Sequence, residues 1–188
     1  VAKVGFGKIP SSPEEKQAMS AIGQSELMKL YDNLFSNYGH TVAQILLTKD
    51  VLESPVRRKA AKNTFNRLLD MHCIPIVNEN DSVSYDEIEF GDNDTLSAYV
   101  SLVCGADALV ILSDIDGLYD SDPHKNPDAK KLENVKASEV LAMNLKAIDA
   151  TATAFCLANG MPIRVFGLKE PADIIKAVRG ESVGTVVT

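Results

Sequence analysis

Apolar residues recur at helical spacing early in the chain, then give way to short apolar runs separated by polar clusters. Ser12-Pro13-Glu14-Glu15 reads as a helix start, with Ser as N-cap, Pro in the first turn and acids beside the exposed N–H groups. Ala18, Ala21, Ile22, Leu27, Leu30, Tyr31, Leu34 and Phe35 continue that helix toward Asn37-Tyr38-Gly39, with Gly23 marking a break or a close approach inside it. Thr41–Thr48 predicts a mainly apolar strand. Ser54-Pro55 opens a second helix to about Asp70, with Ala60, Phe65, Leu68 and Leu69 on its buried face.

Ile74–Val77 predicts a short strand that ends in Asn78-Glu79-Asn80-Asp81, and Val83–Phe90 alternates as a hairpin would. Asp94 or Thr95 begins a helix through Leu102, and Ala108–Leu112 reads as a buried strand. A helix over about Ala147–Ala158, a strand at Ile163–Phe166, a helix at about Ala172–Val178 and a strand at Thr185–Thr188 follow. Strands apolar on both faces, alternating with helices, predict a three-layer α/β/α sandwich with a largely parallel central sheet. In such a sheet ligands bind beyond the carboxyl ends of the strands. Asn78–Asp81 and Ser113–Asp116 both directly follow apolar strands and so fall on that edge.

Composition narrows the function classes. At 188 residues the chain suits one well-buried core rather than two. A net charge of −7 argues against a nucleic-acid surface, so any phosphate must be met locally by helix N-termini, glycine backbone and a few lysines. No apolar run approaches the roughly 18–20 residues needed to cross a bilayer, and Val1–Lys16 lacks the apolar core of a secretory signal. No membrane partner is expected, and a cytoplasmic location is. Cys73, Cys104 and Cys156 are far apart and read as buried, reduced thiols, and the scattered His40, His72 and His124 give no metal site.

Two constellations carry chemistry. Asn78–Asp81 and Gly91-Asp92-Asn93-Asp94 place amides and carboxylates after one strand and before one helix. Converging at one mouth, they could hold a small zwitterion, with the helix start favouring a carboxylate or phosphate. They equally fit acidic surface loops with an Asp cap. Ser113-Asp114-Ile115-Asp116-Gly117-Leu118-Tyr119, continuing to Asp122-Pro123, could present backbone to a nucleotide or form an ordinary turn. The phosphate loop of the Walker type, the dinucleotide glycine motif, the catalytic serine triad, the zinc-protease motif and the protein-kinase motifs are all missing.

Taken together, Lys16–Gln24, Gln44–Thr48, Ile74–Asp81, Phe90–Ala98 and Leu112–Tyr119 closely resemble the glutamate 5-kinases of the amino-acid kinase superfamily, in order and spacing, across about residues 1–135. The resemblance implies transfer of the ATP γ-phosphoryl group to the γ-carboxylate of glutamate, with Mg²⁺, on the route to proline, and suggests a homo-oligomer. By position, Asp81 and Asn93 would hold glutamate with Asn78 and Asp92 nearby. Asp94 would orient phosphate-contacting lysines, and Ser113, Asp114, Tyr119 and Asp122 would line the nucleotide site.

Two departures stand beside these matches. The family's opening strand, with its lysine and glycine–serine turn, has no counterpart here, so residues 1–188 are expected to form an amino-acid kinase domain lacking that segment. Nor is there a GTGGMxTK-like loop. Instead Leu145–Ala152, Met161–Phe166 and Gly180–Val187 resemble the tail of bacterial UMP kinases. UMP kinase or another amino-acid-kinase relative is therefore the enzymatic alternative, and an inactive nucleotide-binding domain the other. Lys3 is a poor stand-in for the opening lysine. Lys8, Lys130, Lys131 and Lys146 remain as candidate phosphate contacts, and each also fits a solvated surface lysine.

Overall fold

The computed structural model describes residues 9–83, 93–121, 123, 125–143 and 148–188. They fall into two compact units that divide between Gly91 and Asp92. In the first, helix α1 (Pro13–Ser36) starts as expected: the Ser12 hydroxyl accepts from the Glu15 N–H at 3.3 Å, and the Glu15 carboxylate accepts from the Ser12 N–H at 3.5 Å. Gly23 neither breaks this helix nor marks a close approach, since a Cβ there would meet nothing within 4 Å.

Strand β1 (Thr41–Leu47), a short helix α2 (Asp50–Glu53), helix α3 (Pro55–Asp70) and strand β2 (Cys73–Glu79) complete the first unit. The two strands pair in parallel, from Thr41 opposite Cys73 to Leu47 opposite Glu79. On α3 the buried face is narrower than its pattern predicts: Phe65 is buried and Leu68 half-buried, whereas Ala60 and Leu69 are exposed. Two strands offer a covering helix only a narrow apolar strip. Val83 lies in a turn, and the rest of the expected hairpin falls outside the described residues.

The second unit contains α4 (Asn93–Cys104), β3 (Leu109–Ser113), β4 (Asn134–Val135), α5 (Ala137–Met143), α6 (Ala150–Ala158), β5 (Ile163–Gly167), α7 (Ala172–Val178) and β6 (Thr185–Val187). Its sheet runs β3-β5-β6-β4. β3 pairs with β5 and β4 with β6 in parallel, whereas β5 and β6 are antiparallel. Each unit thus carries helices on a sheet in which parallel pairs dominate, which is the α/β class expected. β4 and α5 have no counterpart in the predicted elements, because Asn134–Val135 and Ala137–Met143 are too short to show a period.

The contiguous buried cluster lies in this second unit and joins Ala98 of α4, Leu109 and Ile111 of β3, Val140 of α5, Ala152 and Cys156 of α6, Ile163 and Val165 of β5, and Val187 of β6. β3 is not buried on both faces as its apolar run predicts. Leu109 and Ile111 point into the cluster while Val110 and Leu112 stay 37% and 49% exposed. Among the cysteines only Cys156 is buried; Cys73 and Cys104 are half-buried, and all three thiols are free. Burial pushes the Cys156 thiol up from its ordinary value. No helix among the described residues is long and apolar enough to cross a membrane.

The turn into β6 is sterically closed. Gly184 has φ +67°, and a Cβ there would sit 2.0 Å from the Val165 carbonyl oxygen on the neighbouring strand. Gly184→Ala is therefore expected to cost more than about 2 kcal/mol, from backbone strain together with displacement of β5. Thermal or urea unfolding checks this, and an unchanged midpoint would contradict the close approach.

Candidate functional site

Polar groups gather at three places, each built by a strand or helix end. At the carboxyl end of β2, the Asn78 amide donates to the Gln24 carbonyl on α1 at 3.3 Å, while its own carbonyl accepts from the Glu79 N–H at 3.0 Å. Ser20, one helical turn before Gln24, donates its hydroxyl to the Asp81 carboxylate at 3.0 Å. The Asn80 N–H donates to the Leu47 carbonyl at 2.8 Å, which carries the β1–β2 ladder into the polar loop. Between them lies a small cleft of about 20 Å³ lined by Ser20, Gln24, Leu46, Glu79, Asn80 and Asp81, among others. The Gln24 side-chain nitrogen is buried there and has no hydrogen-bond partner among the described residues. The expected residues Asn78, at the end of β2, and Asp81, exposed in the turn that follows, thus both contact α1. Ser20 and Gln24 were not expected; the signal for them is their i, i+4 spacing on one helix face.

The second place is the start of α4. Asn93 is exposed, and the half-buried Asp94 lies in the first helical turn. The Asp94 carboxylate accepts from the Asp149 N–H at 3.3 Å. Asp149 in turn caps α6: its carboxylate accepts from the Ala152 N–H at 3.0 Å and from the Thr95 hydroxyl at 2.9 Å. Partial burial opposes ionisation of Asp149, but the Ala152 N–H, the Thr95 hydroxyl and Thr151 together outweigh it and hold its carboxyl below the ordinary range. Asp94 is thus tied, among its contacts, to the residue that caps α6. Asp92 lies outside the described residues.

The third place is the paired carboxyl ends of β3 and β5. The half-buried Ser113 donates its hydroxyl to the exposed Asp114 carboxylate at 3.2 Å. Asp116 collects three donors. The Tyr119 hydroxyl reaches Oδ1 at 2.8 Å, and the Lys131 and Lys169 ammonium groups reach Oδ2 at 3.5 and 3.4 Å. The Tyr119 hydrogen bond is the main reason the Asp116 carboxyl lies below its usual range, and the same bond raises the Tyr119 phenol.

Tyr119 faces Lys131 across an antiparallel bridge, and the Asp120 N–H donates to the Lys130 carbonyl at 3.0 Å. Gly117 makes the turn close: a Cβ would lie 2.6 Å from the Lys131 side chain and 2.9 Å from the Thr185 hydroxyl. Of the candidate lysines, Lys131 is at this edge, Lys130 is exposed beside it, and Lys8 and Lys146 fall outside the described residues, as does Asp122. Asp116 and Lys169 were not expected. The rule that selected Ser113 applies equally to Lys169, two residues beyond β5.

The sequence profile of the amino acid kinase family matches residues 5–167. The glutamate 5-kinase of Clostridium perfringens (strain 13 / Type A) is 42% identical over 202 residues, covering 99% of this chain and 75% of that protein. The glutamate 5-kinase of Geobacter metallireducens (strain ATCC 53774 / DSM 7210 / GS-15) is 43% identical, covering 98% of this chain and 52% of that protein. The chain therefore spans about three quarters of one relative and about half of the other. Among solved structures, UMP kinase from Bacillus anthracis superposes with a TM-score of 0.72 at 20% identity, over 100% of this chain and 72% of that one. That likeness establishes the fold: α/β, of the kind that UMP kinase has.

Asp149 yields a prediction about pH. Its folded carboxyl is held below the ordinary value, so its contribution is present above about pH 4 and is lost as the pH falls through the lowered folded value. Asp149→Ala is expected to cost about 1–2 kcal/mol at neutral pH, as loss of a helix cap typically does. Asp149→Asn keeps the cap, should cost less, and should flatten the acid limb of a melting-temperature profile. An acid limb identical to that of the unsubstituted protein would remove Asp149 as its source.

Proposed function

We propose that this chain, which belongs to the amino acid kinase family, transfers the γ-phosphoryl group of ATP to the γ-carboxylate of L-glutamate. A carboxylate oxygen forms a bond to the γ-phosphorus, the bond from that phosphorus to the β-phosphate bridging oxygen breaks, and ADP leaves with the electron pair. The products are ADP and glutamyl 5-phosphate, an acyl phosphate on the route to proline. The observation that carries this reading is the similarity to glutamate 5-kinases along 99% of the chain, with polar clusters where strands end.

The chemistry asks little of a general base. A glutamate side chain, with a pKa of about 4.3 in water, is already ionised at neutral pH and is a competent nucleophile. Catalysis then rests on alignment and on neutralising phosphate charge. Asp81 and Asn78 are our candidates for the ammonium and polar groups of glutamate, with Asn93 as a further one. Their chemistry supports this: a carboxylate accepts from an ammonium group, and an amide can donate to a carboxylate. Asp94 is assigned to positioning. Ser113, Asp114 and Tyr119 are assigned to the nucleotide, at the strand edge where α/β sheets take ligands.

Among the described residues no three His, Cys, Asp or Glu side chains gather as a metal cage. The exposed Asp114 offers one hard oxygen at the nucleotide edge, and Mg²⁺ commonly takes one or two carboxylates together with substrate phosphates and water. Bound with ATP, the ion would supply charge neutralisation on the phosphates. Leu30 and Leu34, one turn apart on α1 and 56% and 54% exposed, support the expectation of a homo-oligomer. The cytoplasm, which supplies ATP and free glutamate, is the proposed location.

A coupled assay of ADP release tests the reaction. Turnover is expected with glutamate and not with UMP, and hydroxylamine should trap the acyl phosphate as a hydroxamate. Asp81→Ala should raise KM for glutamate by about tenfold or more, the equivalent of one charge-assisted contact, with KM for ATP little changed. Phosphorylation of UMP alone would overturn the proposal.

A further inference from the structure

We infer that Lys131 and Lys169 form the contact for the ATP polyphosphate in this chain, and that Asp116 is the residue that positions them. This inference rests on the proposed kinase activity for its biological sense, but its geometry stands within the second unit alone. Both ammonium groups lie against the same carboxylate oxygen, at 3.5 Å for Lys131 and 3.4 Å for Lys169. Two ammonium groups do not share one point without an anion between them. Asp116 supplies that anion, and the Tyr119 hydroxyl fixes its other oxygen at 2.8 Å. The result is a pair of ammonium groups held on one carboxylate at the carboxyl ends of two adjacent parallel strands, in a chain whose net charge is −7.

The lysines come from segments far apart in the chain, and each has a reason to be there. Lys131 is placed by the bridge that pairs it with Tyr119, and Gly117 leaves room for its side chain. Lys169 lies two residues beyond β5, where Gly167 permits a close approach to the β3 loop: a Cβ at Gly167 would sit 3.0 Å from the Ile115 carbonyl oxygen. The two ion pairs are long, and Lys169 is 71% exposed, so each contributes little to stability and is easily exchanged for a stronger anion. A polyphosphate carries more charge than a carboxylate and accepts from both lysines at once. On binding, the ammonium groups pass from Asp116 Oδ2 to phosphate oxygens while Asp116 stays tied to Tyr119. This answers how an acidic chain without a glycine-rich phosphate loop meets phosphates locally.

The test is nucleotide binding by calorimetry without any acceptor present, comparing ATP with adenosine. Lys131→Met and Lys169→Met should each weaken ATP by about tenfold or more, as loss of a charged contact does, and leave adenosine within about twofold. The Lys→Arg variants should restore most of the loss. Asp116→Asn should raise KM for ATP without changing KM for glutamate, which a merely structural role would not do selectively. Melting curves confirm that each variant is folded. ATP affinity within about twofold of the unsubstituted protein in both Met variants would overturn the inference, as would failure of the unsubstituted chain to bind ATP. Loss of ATP binding in the variants, with no phosphorylation of glutamate by the unsubstituted chain, would sink only the acceptor assignment, whereas unchanged ATP binding in the variants, with turnover of glutamate by the unsubstituted chain, would sink only this one.

Discussion

A hydroxyl buried in an apolar core must find partners or cost several kcal/mol, and Thr185 meets that demand in a way that organises the second unit. The residue has no exposed surface, and its hydroxyl accepts from the Leu118 N–H at 2.8 Å while donating to the Leu132 carbonyl. Leu118 and Leu132 are themselves joined by a backbone hydrogen bond of 2.8 Å. One side chain on β6 thereby clamps both arms of the excursion that leaves β3 and returns to β4. Gly117 is the steric counterpart, because a Cβ there would collide with the Thr185 hydroxyl and the Lys131 side chain. Tyr119 follows Leu118 and Lys131 precedes Leu132, so the clamp also sets where the phenol and the ammonium group reach Asp116.

The electrostatics of the nucleotide edge follow from that placement. A net charge of −7 would repel a polyphosphate if it were spread evenly. It is not, because Asp116 meets ammonium groups from two separate segments of the chain. The same logic appears at the start of α4, where Asp94 accepts from the cap of α6 and Asp149 takes the Thr95 hydroxyl. In both places a carboxylate is held by hydrogen bonds before any ligand arrives, which lowers its pKa and fixes its direction. Phosphoryl transfer to an already ionised acceptor needs that kind of preset geometry more than it needs an acid or a base.

Much of this was legible from local chemistry. The capping box at Ser12 and Glu15, the Ser54-Pro55 start, the β2 strand with its polar end and the β5–α7 run are encoded by neighbours in sequence, and the structure places them where expected. Asn78 and Asp81 were readable because polar residues at the end of a parallel strand and just beyond it are delivered to one edge. Gly23 misled, since a glycine in a helix signals freedom without saying whether anything uses it. The two exposed positions of β3 misled for a related reason: an apolar run records what a strand can bury, not which face its helices cover.

The amino-acid sequence by itself determined the elements, the α/β class and the residues that could carry charge to the strand ends, because propensity, capping and periodicity act over a few residues. Only the tertiary structure decided that β6 runs antiparallel to β5, that Thr185 ties Leu118 to Leu132, and that Lys131 and Lys169 share one oxygen of Asp116. Lys169 is 53 residues from Asp116 along the chain, and no local rule brings it there. Strand pairing does, since β3 and β5 end side by side and whatever follows each strand is delivered to the same edge.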